Sequence, residues 1–115
     1  MMQFTVDKLT KEEVRKLEEV LQRETQPSAV GGLFWVEIPE RYLAPVQKAH
    51  RESCGPHYFA IEIGEDFISF EFLVRNFNRV RCDCISPATP EQKIFLLDLA
   101  KKLFALAGVK MERRG

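Results

Sequence analysis

Three residues near the middle of the chain have the types and spacing of a ligand set. His50 and Cys54 are four apart, so on a helix they share one face, and His57 follows just beyond a Gly-Pro turn. Imidazole nitrogen and thiolate sulfur are the donors zinc prefers, and the same pair can act as a base and a nucleophile. A thiol at a helix C-terminus faces the negative end of the helix dipole, which opposes thiolate formation. Read blandly, Cys54 is a packed cap residue and both histidines lie at the surface.

A second thiol pair lies further on. Cys82 and Cys84 flank Asp83, so on a strand both point to one side. Two thiolates there would need two more ligands from elsewhere, and the group of His50, Cys54 and His57 with Cys82 or Cys84 would make a closed zinc site. The ordinary alternative is two small apolar residues packed against the sheet's own aromatics. Carboxylates Glu37, Glu62, Glu71 and Asp83 can meet on the opposite sheet face, where alternation alone already puts polar residues in solvent. The chain contains no nucleophile elbow, phosphate-binding glycine loop, dinucleotide fingerprint or zinc-protease helix motif. The absence of these signatures points to a non-catalytic domain.

The elements that must position these residues can be read from capping and periodicity. Met2, Phe4 and Val6 alternate as a short first strand. Thr10 and Glu13 form a capping box, and Val14, Leu17, Val20 and Leu21 make the apolar stripe of a helix running to about Glu24. Leu33 to Ile38 reads as a strand with apolar residues on both faces. A second helix lies within 40–53, either starting at Pro45 or kinked there, and Gly55 is placed to take a left-handed conformation past its end. Tyr58–Ile63, Phe67–Val74 and Arg79–Ile85 are expected to form a three-strand meander. A two-residue turn at Gly64-Glu65 sets Ile61 opposite Ile68 and Phe59 opposite Phe70. The second turn sets Phe72 opposite Cys82 and Phe70 opposite Cys84. Thr89, Pro90 and Gln92 start the last helix, which Gly108 ends.

That last helix is apolar over more than half its circumference, whereas a helix on one sheet needs a stripe only about 100° wide. It therefore requires a second apolar surface, from this chain or from a partner. The expected fold is α+β, a two-layer sandwich of a mostly antiparallel sheet covered by helices, in the order (β)-α-β-α-β-β-β-α. One domain spans residues 1–115.

The chain has 17 basic and 17 acidic side chains and a pI near 6.7, so no global field draws in nucleic acid or an anionic membrane. Residues 1–74 carry 8 basic and 13 acidic groups, and residues 75–115 carry 9 and 4. Arg75, Phe77, Arg79 and Arg81 gather at one loop as a cationic interaction patch. A protein partner or the acidic half of a second copy fits this balance better than nucleic acid does. Three cysteines and no export signal suggest reduced thiols in the cytoplasm.

In the order of its elements, residues 42–107 (helix, three-strand meander, long helix) resemble roadblock-type and longin-type domains. That resemblance implies dimers that bind small GTPases or assemble regulatory scaffolds. It contains no diagnostic residue, and Leu33–Ile38 followed by Pro39 departs from the usual roadblock hairpin. The leading expectation is thus a homodimeric, non-catalytic interaction or regulatory domain. Its alternative is a metal- or thiol-dependent protein using His50, Cys54 and His57.

Overall fold

The structure, a computed structural model, describes residues 3–76 and 81–111. Strands β1 (Gln3–Val6), β2 (Gln26–Pro27), β3 (Leu33–Glu37), β4 (His57–Ile63), β5 (Ile68–Glu71), β6 (Leu73–Asn76) and β7 (Ser86–Pro87) form an antiparallel sheet. The helices are α1 (Lys11–Glu24), α2 (Pro45–Ala49), α3 (Arg51–Cys54) and α4 (Pro90–Ala107), with a 3-10 turn at Glu40–Tyr42. This is the expected two-layer α+β arrangement. No helix among the described residues is long and apolar enough to cross a membrane.

The strand order is β1-β5-β4-β3-β2, with β6 also on β4 and β7 on β6. β5 and β6 are two halves of one strand path bent at Phe72, both paired to β4. Alternation puts Phe34, Phe59, Ile61, Ile68, Phe70 and Val74 inward, all at most 2% exposed. The outward set contains Trp35, Tyr58, Ala60, Glu62, Ser69, Glu71 and Arg75. The pairs expected between β4 and β5 thus keep their common inward face, although the register differs by two residues. Ile61 lies opposite Phe70 and Ile63 opposite Ile68. The reason is the turn: Gly64 N–H donates to the Phe67 carbonyl at 2.8 Å, so the two-residue turn falls at Glu65-Asp66, one residue further on than expected. A shift of two leaves every side chain on its own face.

The strand expected over Arg79–Ile85 is a correction. Within the described part of that span, Cys82–Ile85 is a turn closed by Ile85 N–H to Cys82 carbonyl (3.0 Å), and ladder pairing resumes only at Ser86. Cys82 and Cys84 therefore do not sit opposite Phe72 and Phe70. Val74 pairs with Ser86, and Ala88 N–H donates to the Phe72 carbonyl (3.0 Å).

Both long helices start as their sequences require. Thr10 N–H donates to Glu13 Oε1 (2.9 Å) and Glu13 N–H to Thr10 Oγ1 (3.1 Å). The corresponding bonds at Thr89 and Gln92 are 2.9 and 3.2 Å. Gly108 takes the left-handed conformation (φ 69°) that ends α4. Pro45 is in the first turn of α2, so that helix starts there, and a break at His50 separates it from α3. Gly55 differs from expectation, with φ −74°. Its glycine is needed for space: a Cβ there would run into the Arg51 carbonyl oxygen.

The wide apolar surface of α4 is covered largely within the chain. Leu96, Ala100, Leu103 and Phe104 are buried against the sheet and the Leu17–Val20–Leu21 stripe of α1. Phe95 packs between Tyr42 (ring centroids 4.9 Å) and Phe59 (6.4 Å). Of α4's large apolar side chains, Ile94 and Leu106 remain exposed. Each buried Leu or Phe of this kind contributes about 1.5–3 kcal/mol, so α1 and the 3-10 turn supply the second surface that the sequence demanded.

Candidate metal centre

Two segments far apart in sequence converge beside the sheet. His50 is in the break between α2 and α3, and Cys54 ends α3, one turn on. Cys82 and Cys84 come from the turn that replaces the expected strand. Their donor atoms (one His nitrogen and three Sγ) all lie within 4.8 Å of one another. His50 Nδ1 is 2.8 Å from Cys82 Sγ. Cys54 and Cys84 are buried, whereas His50 and Cys82 are partly exposed, so the group opens to solvent on one side.

A buried amide relay holds the second segment against the first. Gln47, fully buried in α2, donates from Nε2 to the Cys84 carbonyl (3.1 Å) and to Ser86 Oγ (3.2 Å). Its Oε1 accepts from Ala44 N–H and from Gln92 Nε2, both at 2.8 Å. Gln92 also donates to the Tyr42 carbonyl (2.8 Å). All four hydrogen-bonding positions of the Gln47 amide are filled, the condition under which a buried polar network adds rigidity. Residues 84–86 thus bond to a helix side chain where a straight strand would bond to a ladder.

The electrostatics divide the two nearby thiols. Cys82 is drawn down to about 7 from an ordinary 9.0, first by the Cys84 backbone N–H, then by the Cys84 thiol and by His50. Burial pushes Cys84 up to about 12, and the neighbouring Cys82 and Cys54 thiols add to this. Asn76 Nδ2, 3.9 Å from Cys84 Sγ, works the other way on that thiol, and Ser53 Oγ lies 3.8 Å from Cys54 Sγ. Such outer contacts steady thiolates at metal sites.

Of the expected ligands, His50 and Cys54 come together and His57 does not join them. His57 begins β4, points inward and is 1% exposed. Neither of its ring nitrogens has a hydrogen-bond partner among the described residues. The strand direction explains this correction: Tyr58 faces out, so His57 faces the core. Burial, then the charge of His50, lowers its pKa from 6.5. Cys82 and Cys84 take the place it was expected to fill. No sequence periodicity signals this, because an i, i+2 pair reads as one face of a strand.

Of the expected cationic patch, only Arg75 and Arg81 lie among the described residues. Arg75 is held by Glu71 through bonds of 2.8 and 3.1 Å on the outer sheet face. Arg81 is exposed beside Cys82 and Asp83. Phe77 and Arg79 lie outside the described residues. Asp83 is in the turn and does not share the outer sheet face with Glu37, Glu62 and Glu71.

No family model matches the chain, and no curated protein or solved structure matches it significantly. The likeness to roadblock-type and longin-type domains rested on an expected element order whose third meander strand does not form over Cys82–Ile85, and it carries no function.

Proposed function

We propose that this chain is a non-catalytic zinc-binding domain, with His50, Cys54, Cys82 and Cys84 as the four ligands. The observation that carries the reading is the convergence of these donors within 4.8 Å from two segments about thirty residues apart in sequence. Tetrahedral zinc with ordinary bond lengths has ligand edges of about 3.6 Å from nitrogen to sulfur and about 3.8 Å between sulfurs. Shifts of about 1 Å in side-chain atoms, within the reach of χ rotations, would convert the present group to that geometry. Three sulfurs and one imidazole are the donor set of structural zinc.

Four protein ligands leave no open position for substrate or water, which is why the reading is structural. The ion would tie the 82–85 turn to the α2–α3 pair, and its binding energy would be folding energy. Thiolate ligands require a reducing compartment, consistent with the cytoplasmic location expected from the cysteine content. A domain of this kind acts through its surfaces, so the interaction role expected from the sequence remains part of the proposal. The homodimer has less behind it than before, because α1 and the 3-10 turn cover most of the face that suggested it.

Cobalt(II) titration of the reduced protein tests the assignment. The expected spectrum combines the ligand-field bands of tetrahedral cobalt with thiolate-to-cobalt charge transfer, saturating at one equivalent. Cys54→Ser and Cys84→Ser should each weaken the charge-transfer band, whereas His57→Asn should preserve it. An octahedral, featureless spectrum would remove the proposal.

A further inference from the structure

The sheet's outer face carries a second feature, independent of the metal ligands. Both long helices pack on the inner face, and the outer face curves into a trough of about 780 Å³. It runs from Gln3 on β1 across β5, β4 and β3 to the β2–β3 loop at Val30. Five neighbouring strands are about 19 Å across at the usual spacing, the length of an extended chain of about six residues. The floor is low because Ala60 and Ser69 are its central side chains, each under one-tenth exposed.

One end of that floor is aromatic and acidic. Trp35 and Tyr58 form a corner, with ring centroids 6.2 Å apart and planes at 62°. Glu37 is the cross-strand partner of Tyr58, and Glu62 lies two residues from Ala60, the partner of Trp35. Glu71 is already paired with Arg75. Glu37 and Glu62 are exposed and make no ion pair among the described residues, Glu62 within the trough lining and Glu37 just outside it. Arg75, the other cross-strand partner of Tyr58, is paired with Glu71, so the described part of the face carries net negative charge. Ring faces and nearby carboxylates both attract an organic cation.

We infer that this trough is a docking site for an extended basic peptide, whose lysine or arginine cation rests in the Trp35–Tyr58 corner beside Glu37 and Glu62. The shape selects an extended chain, and the charge selects its sign. The segment would lie on side chains across the strands, leaving the outer β1 and β2 edges unused.

Trp35 is the chain's only tryptophan, so its fluorescence reports on the site directly. The probe is the amidated, acetylated hexapeptide Gly-Lys-Gly-Lys-Gly-Lys, with its Glu-for-Lys counterpart and spermidine as comparisons. The lysine peptide should give a saturable change in Trp35 emission that weakens at higher salt. Each exposed ion pair is worth at most about a factor of five, so the exposed double variant E37Q/E62Q should bind about tenfold more weakly. The same result for zinc-loaded and zinc-free wild-type protein would show that the site does not depend on the metal. Four results would each overturn the inference: no saturable response, an equal response to the glutamate peptide, unchanged affinity in E37Q/E62Q, or spermidine binding as tightly as the peptide.

Discussion

Replacing Gln47 by leucine keeps the side chain's approximate volume and removes four hydrogen bonds at once. Ser86 Oγ is part-exposed and can turn to water, and Gln92 Nε2 keeps the Tyr42 carbonyl. Two groups then lose their partner, the N–H of part-exposed Ala44 and the carbonyl of fully buried Cys84, and the second is the costlier. Each unsatisfied buried group costs about 1–3 kcal/mol, which puts the loss near 3 kcal/mol. Domains typically have about 5–15 kcal/mol of stability, so the variant should fold but with a much smaller margin. At about 2.1 cal/mol/K per residue, 115 residues give an unfolding entropy near 0.24 kcal/mol/K and a fall in Tm of about 12 °C. Calorimetry of metal-free Gln47→Leu beside the wild type measures this directly. Glu18→Gln on the exposed face of α1 is the control, and should stay within about 0.5 kcal/mol. A Tm drop under about 2 °C for Gln47→Leu would show that the amide relay does not hold the 84–86 segment.

Further predictions concern titration and the His57 site. In the metal-free protein, alkylation of Cys82 should rise to half its maximum near pH 7, two units below an ordinary thiol, and His50→Phe should move that midpoint upward. A Cys82 midpoint near 9 by mass-resolved alkylation would refute the geometry of the thiol group. Burial keeps His57 neutral in the fold, so its contribution to stability is complete above the unfolded value of 6.5 and is lost as pH falls through the lower folded value. Urea unfolding of metal-free protein should therefore show stability declining below about pH 6.5. His57→Leu should flatten that decline, and an unchanged slope would show that another group is responsible.

The local features were legible in the sequence, and the long-range ones were not. Thr10 with Glu13 and Thr89 with Gln92 set helix starts through contacts three residues apart, which a sequence displays directly. The two faces of β4 and β5 followed from alternation, and they survive the two-residue register shift because faces depend only on parity. Pro45 marked either the start of α2 or a kink in it, and the start is what forms. Gln47, by contrast, reads as an ordinary polar helix residue, and only the return of the chain 37 positions later shows what it holds. With that bond unseen, Cys82 and Cys84 looked like part of an alternating strand aimed at Phe70 and Phe72. His50 and Cys54 were visible as a ligand pair through their i, i+4 spacing. Cys82 or Cys84 could be named beside them as a closing donor, but bringing both in depends on a turn whose cause lies in a different element. The apolar excess of α4 was plain, but whether α1, the 3-10 turn or a second copy would cover it depended on packing.

The most direct test of the central claim is native mass spectrometry of the untagged, reduced chain with one equivalent of zinc. The account predicts one tightly held zinc per chain, lost in Cys84→Ser and kept in His57→Asn. A chain that stays metal-free, or whose zinc is indifferent to Cys54→Ser and Cys84→Ser alike, would contradict it.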